Sequence, residues 1–312
     1  MTYILQPVVC QKWQDCNLFL SQAQDYSEEL QIVDLTKLND TVSTGHRIIG
    51  GQPVNIERYP YTVQVLLNRG LTCGGSLLST SHVLTSAHCF FAQNGQMVRP
   101  SQLSVRLGST MQGSGGTVVS VSRFVIHENY NIPIRNNDIG ILFLSRRVTL
   151  SNQISLAFIP QQGNMVPDRA PVTFVGWGQT NVNVPAGSTV LNEVHVQNIN
   201  LTICSIRYNQ LSQLMGQAYI VTNDMLCAGI LDVGQKDACL GDSGGPVIYN
   251  GVVVGITSWG YSCGHPNYPR VNSRVSSYTT WITRTMRGSA ITSAGSLKMI
   301  IVFMLCSILY SY

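Results

Sequence analysis

The chain has 312 residues, of which 11% are charged and 44% hydrophobic, with a net charge of +4. So low a charged fraction, against roughly 25% in soluble domains, excludes a solvated disordered polymer and leaves apolar mass for a sizeable core. The small, scattered positive excess excludes the concentrated basic face that nucleic acid requires.

At the N-terminus, "MTYILQPVVCQKW" has a short apolar run broken by Pro7 and no preceding basic residue. It therefore lacks the layout of a secretory signal. Asn39-Asp40-Thr41 and Asn200-Leu201-Thr202 match the glycosylation acceptor pattern at Asn39 and Asn200. Strand-like runs follow at 61–67, 82–89, 117–127 and 138–145, β-branched and apolar between Gly, Asn and Ser clusters. A second group occupies 171–178, 190–199 and 245–260, and in the last Asn250-Gly251 marks a hairpin turn. Only 277–286 reads clearly as a helix. Two runs of short strands meeting near Pro160 predict an all-β chain of two antiparallel barrels with a C-terminal helix.

Beyond that helix come Gly288-Ser289-Ala290, a polar spacer to Lys298, and an apolar run from Met299 to Tyr312. The run is shorter than the ~20 residues of a membrane span. Small residues, spacer and apolar tail fit a lipid-anchor signal; a tail that simply packs on the domain is the other outcome the pattern allows.

None of the nine cysteines falls in a C-x-x-C pair, which removes the usual zinc and thioredoxin-like signatures. The six from Cys73 to Cys263 suit three disulfides and hence an oxidising compartment, secreted or at the cell surface.

A serine hydroxyl becomes a useful nucleophile when a base takes its proton and a third group orients that base. Ser243 in "GDSGGP", His88 in "LTSAHC" and Asp138 in "NNDIGIL" supply those three groups. Each alone reads more simply as a turn, surface or core residue. Their order and contexts, together with "RIIGG", "GWG" and "TSWG", resemble the chymotrypsin-like (trypsin-like) serine proteases. The resemblance covers Ile48 to about Arg287.

The resemblance implies a double barrel of six strands each and three segments: propeptide 1–47, protease domain 48–287 and hydrophobic tail 288–312. Ser243 would attack the scissile carbonyl, His88 would carry the proton, and Asp138 would orient the imidazole and stabilise its cation. The N–H groups of Gly241 and Ser243 would form the oxyanion hole. Cleavage after Arg47 would free the ammonium of Ile48 to pair with Asp242, a buried charge needing a counter-charge. Disulfides are implied for Cys73–Cys89, Cys204–Cys227 and Cys239–Cys263. Phe158 stands where some relatives carry a cysteine joining propeptide to body, leaving Cys10 and Cys16 to pair with each other. The 109–122 loop has no Asp or Glu, so no calcium site, other metal or cofactor is expected. Expected partners are a protein or peptide substrate, an activating trypsin-like protease and protein inhibitors.

In trypsin-like members an aspartate at the position of Asp237 attracts a substrate Lys or Arg. Ser258, Trp259 and Gly260 would line the wall and pair with the substrate backbone. Here Arg270 stands where those members need a glycine, and Asn272 where a tyrosine is usual. Arg270 turned inward would neutralise Asp237 and disfavour basic substrates; Arg270 swung away past the smaller Asn272 would preserve them. The inward pair is favoured. The expected function is a serine endopeptidase made as a zymogen; the competing expectation is a non-catalytic binding protein on the same scaffold, suggested by the filled pocket.

Overall fold

A computed structural model of the chain describes residues 30–38, 51–179, 187–234, 237–238 and 241–288. The first barrel closes in the order β3 (Thr62–Leu67), β4 (Gly70–Ser79), β5 (His82–Thr85), β8 (Gly140–Leu144), β7 (Thr117–Ile126) and β6 (Leu103–Leu107). Strand alternation divides its apolar residues between two cores. Val63, Val65, Leu77, Val83, Val105, Val119 and Leu142 fill the barrel. Their neighbours Leu78, Leu84 and Ile141 face outward and join Val175, Trp177, Ile248 and Ile256 in a layer between the barrels.

The second barrel runs β14 (Val252–Trp259), β13 (Pro246–Tyr249), β10 (Pro171–Gly176), β11 (Asn192–Ile199), β12 (Met225–Gly229) and β15 (Arg270–Arg274), closed by β14 against β15. The hairpin between β13 and β14 turns on Asn250 and Gly251, both at positive φ (47° and 81°). A type I′ turn requires that conformation at both central residues. Two further strands extend the sheet: β9 (Phe158–Pro160) lies parallel to β14, and β1 (Gln31–Val33) lies parallel to β9. A short β2 (Gln52–Pro53) pairs with β11.

Two α-helices complete the described fold. The C-terminal α2 (Val275–Met286) starts two residues before the helix expected from sequence and buries Tyr278, Trp281 and Ile282 between the barrels. The other, α1 (Leu201–Met215), is absent from the sequence expectation. Its buried residues Cys204, Tyr208 and Leu211 recur at helical spacing, but exposed Ile203, Ile206, Leu214 and Met215 obscure the pattern. A disulfide from Cys204 to Cys227 ties the helix to β12.

Asn200 caps α1, its side-chain oxygen accepting from the N–H groups of Thr202 (3.0 Å) and Ile203 (3.2 Å). Its Nδ2 donates to Asp168 at 2.7 Å, so both ends of the expected glycan-bearing amide are engaged. Replacing Asn200 by Ala should lower stability by about 1 kcal/mol, with Asn200→Ser retaining most of it, measured by denaturant unfolding.

Candidate active site

His88 sits in a 3-10 turn, Ala87–Phe90, immediately after β5. A disulfide from Cys73 in β4 to Cys89 holds that turn, closing a loop of 16 residues worth about 3 kcal/mol. Asp138 lies buried just ahead of β8. Its carboxylate accepts from the His88 N–H (2.8 Å), from His88 Nδ1 (2.7 Å) and from the Ser258 hydroxyl. The Asp138 carbonyl accepts from Ser273 at 2.7 Å.

These bonds decide the protonation states. Burial pushes the Asp138 carboxyl up, but the His88 charge and the surrounding donors outweigh it and hold the acid below the ordinary carboxylate value. Burial likewise pushes His88 down, but the Asp138 charge and hydrogen bond prevail, leaving the imidazole above its ordinary 6.5. An ionised Asp138 accepts only, so Nδ1 carries the proton and Nε2 is left as the basic nitrogen.

Ser243 enters from the second barrel, ahead of β13. Its carbonyl accepts from Gly74 N–H (2.7 Å), and the next N–H, of Gly244, donates to the Thr257 carbonyl (2.8 Å). Close approach makes this possible. A Cβ on Gly244 would lie 2.2 Å from Thr85 Oγ1, and one on Gly74 would lie 2.9 Å from Gly245 Cα. Ser243 is thereby fixed beside the end of β5 that carries His88. Among the described residues no hydrogen bond joins the Ser243 hydroxyl to His88, and neither the Gly241 nor the Ser243 N–H has a protein acceptor. Catalytic hydrogen bonds commonly close only when substrate is present.

The Asp242 carboxylate lodges against the backbone on either side of Trp177. Gly178 N–H donates to it at 2.8 Å, and a Cβ on Gly176 or Gly178 would fall 2.1 or 2.3 Å from its oxygens. That crowding is the reason for glycine at both places in "GWG". Arg47 and Ile48, the expected cleavage step, lie outside the described residues, as do Asn39, Cys239, Cys10, Cys16 and the tail from Ser289. Cys263 is disulfide-bonded.

In the pocket, Arg270 points inward. Its Nε donates to Asp237 Oδ1 (3.2 Å), and Nη2 donates to Asp237 Oδ2 (3.0 Å) and to the Ala238 carbonyl (2.5 Å). Gly264 N–H adds a bond to Asp237 at 2.9 Å. The two side chains are 11% and 5% exposed, so this is a buried ion pair. Burial raises the Asp237 pKa, with the Arg270 charge pulling against it. The guanidinium also lies against the Gly260 wall, where an added Cβ would sit 2.9 Å from Nη1. Among the described residues Nη1 has no hydrogen-bond acceptor. Asn272 is fully buried, donating to the Leu226 and Arg270 carbonyls at 3.0 and 3.2 Å, with no partner for its own oxygen among the described residues.

Several contacts at the site were not read from the sequence. Ser258 was expected on the pocket wall, yet its hydroxyl serves Asp138; Ser86 Oγ donates to the Thr257 carbonyl at 2.9 Å and steadies the same strand. Tyr278 of α2 donates to Asn137 at 3.2 Å, so the C-terminal helix braces the Asp138 loop. Arg135 stacks over Tyr219 (4.8 Å) and Trp259 (5.2 Å). Isolated Ser, Tyr and Arg residues carry no local signal for such long-range contacts. In the 109–122 loop, Arg106 donates to the carbonyls of Gly113 and Gly115. Among the described residues one trio, Cys73, His88 and Cys89, has potential metal-ligand spacing, but both sulfurs are committed to the disulfide.

The family model described as Trypsin matches residues 48–282. A trypsin of Phaedon cochleariae is 37% identical over 235 residues, covering 75% of this chain and 86% of that protein. Trypsin CFT-1 of Choristoneura fumiferana is 38% identical over 241 residues, covering 76% and 90%. Alkaline trypsin B of Manduca sexta is 39% identical over 241 residues, with the same coverage.

Proposed function

The chain belongs to the trypsin family and is a serine endopeptidase, and from that premise we propose its catalytic residues, activation and specificity. Ser243 is the nucleophile, His88 the general base and then acid, and Asp138 the group that orients His88 and stabilises its cation. Gly241 and Ser243 N–H stabilise the oxyanion of the tetrahedral intermediate. The observation that carries this assignment is the buried Asp138 carboxylate, bonded through both oxygens to His88. Collapse of the intermediate expels the leaving amine, protonated by His88, and water then hydrolyses the acyl-enzyme by the reverse proton path.

Cleavage after Arg47 activates the enzyme, with Asp242 as counter-charge for the new Ile48 ammonium. The glycine-lined seat of the Asp242 carboxylate supports that role. Substrates are proteins or peptides, and the site of action is extracellular; attachment through the tail from residue 288 is part of this proposal. Arg270 makes the pocket hostile to Lys and Arg, and its Nη1 beside Gly260, without an acceptor among the described residues, favours a short side chain bearing a hydrogen-bond acceptor.

The test is labelling of the activated protein by a serine-directed phosphonate across pH. Below its folded pKa, His88 is protonated and cannot accept the serine proton, so the labelling rate should rise with pH through a value above 6.5. Asp138→Asn removes the charge that raises this pKa and disturbs the tautomer. It should lower the rate by about 10⁴-fold, the size characteristic of this constellation, and shift the acid limb downward. An unlabelled protein, or a limb unmoved by Asp138→Asn, would overturn the assignment.

A further inference from the structure

Residues 30–38, ahead of the expected cleavage step, are not a loose extension. Residues 31–33 form β1, parallel to β9 with Gln31 opposite Phe158 and Val33 opposite Pro160. Gln161 N–H donates to the Val33 carbonyl (2.8 Å), and Leu35 N–H donates to Asn164 Oδ1 (2.9 Å). Leu35 is 7% exposed and enters the second barrel's core beside Val166, Val172, Phe174 and Val252, with Val33 and Leu38 packed against the same group. Asp34 caps the turn that carries Leu35, accepting from Thr36 N–H at 3.1 Å. Backbone pairing at the β9 edge is thus combined with an apolar anchor, the combination by which extended peptides bind to sheet edges.

Phe158, at the place of the cysteine that tethers the propeptide in some relatives, is itself the register partner of Gln31. Of the described cysteines of the body, Cys73 pairs with Cys89 and Cys204 with Cys227, and Cys263 is disulfide-bonded. We propose that, after cleavage at Arg47–Ile48, residues 30–38 remain bound to the protease body without a covalent link. The mature enzyme is then a two-chain complex whose small chain is its former N-terminal segment. This rests on the activation at Arg47 proposed above. The retained segment covers the β9 edge, which would otherwise offer unpaired backbone groups, and closes one side of the second core.

Arg47 is the sole arginine in residues 1–47, so an arginine-specific protease leaves the 30–38 region intact. The full chain should be cut with it, and the new N-terminus sequenced. A non-reducing denaturing gel should then separate two fragments that co-elute on a native sizing column. Leu35→Asp should weaken retention about 10–100-fold, from the loss of one buried leucine contact, and Leu35→Ala by a smaller factor. Ile32→Ser, at a position 42% exposed, should leave it unchanged. An Ile48 terminus with the fragment lost from the native complex would overturn this proposal alone. Fragments still joined on the non-reducing gel would overturn it in favour of a disulfide tether. Absence of an Ile48 terminus would instead overturn the activation reading, and retention with it.

Discussion

Ser243→Ala should lower peptide hydrolysis by about 10⁶-fold, because nucleophile and base act as a unit and loss of either removes most of the catalytic effect. The fold should be indifferent to the change. Ser243 is held through its backbone, by the bond from Gly74 to its carbonyl and by the Gly244 bond to Thr257. Its hydroxyl makes no hydrogen bond to His88 among the described residues. Stability by denaturant unfolding should therefore stay within ~0.5 kcal/mol of the parent. The pairing of a large kinetic loss with an unchanged midpoint separates a chemical role from a structural one. Equal turnover by parent and variant would remove Ser243 from the mechanism.

The glycine-bearing motifs "GWG" and "GDSGGP" were legible through the family resemblance, and the structure supplies their steric reason. Gly244 and Gly74 let the barrels touch, and Gly176 and Gly178 make space for Asp242. The barrels were legible for a different reason: alternation along each strand is a local property, and its two faces map onto the barrel interior and the inter-barrel layer.

What escaped notice depends on partners far away in the chain. Three residues of β1 have no period to read, and their partner Phe158 lies 127 positions onward, by the difference of the paired numbers 31 and 158. Helix α1 hides behind exposed apolar residues, and its cap Asn200 also matches the glycosylation acceptor pattern, so one signal masked the other. Ser273, and the second role of Ser258 as a donor to Asp138, became visible only once Asp138 was surrounded. The Arg270–Asp237 contact lies between these cases: family alignment brought the two residues to one pocket, and the geometry shows a bidentate contact between them.

That contact leads to the second large expectation. The parent enzyme should cleave poorly after Lys or Arg, and Arg270→Gly should raise kcat/KM for such substrates about 100-fold or more. Admitting a basic side chain to the parent pocket means displacing Arg270 from a buried carboxylate, and separating such a pair costs about 3–5 kcal/mol. At 1.36 kcal/mol per tenfold, that is at least two powers of ten in rate. In Arg270→Gly the space against Gly260 opens and Asp237 is left seeking a cation. The unliganded variant should be less stable than the parent by a similar 3–5 kcal/mol, since an unpaired buried charge remains. A small amidinium such as benzamidine should restore part of that stability and inhibit the variant while leaving the parent untouched, because binding to the folded state alone stabilises it. The reciprocal change, Asp237→Ala, leaves the guanidinium unpaired and should turn preference toward acidic side chains. If parent and Arg270→Gly enzymes favour Lys and Arg equally, the internal pair does not control what enters the pocket.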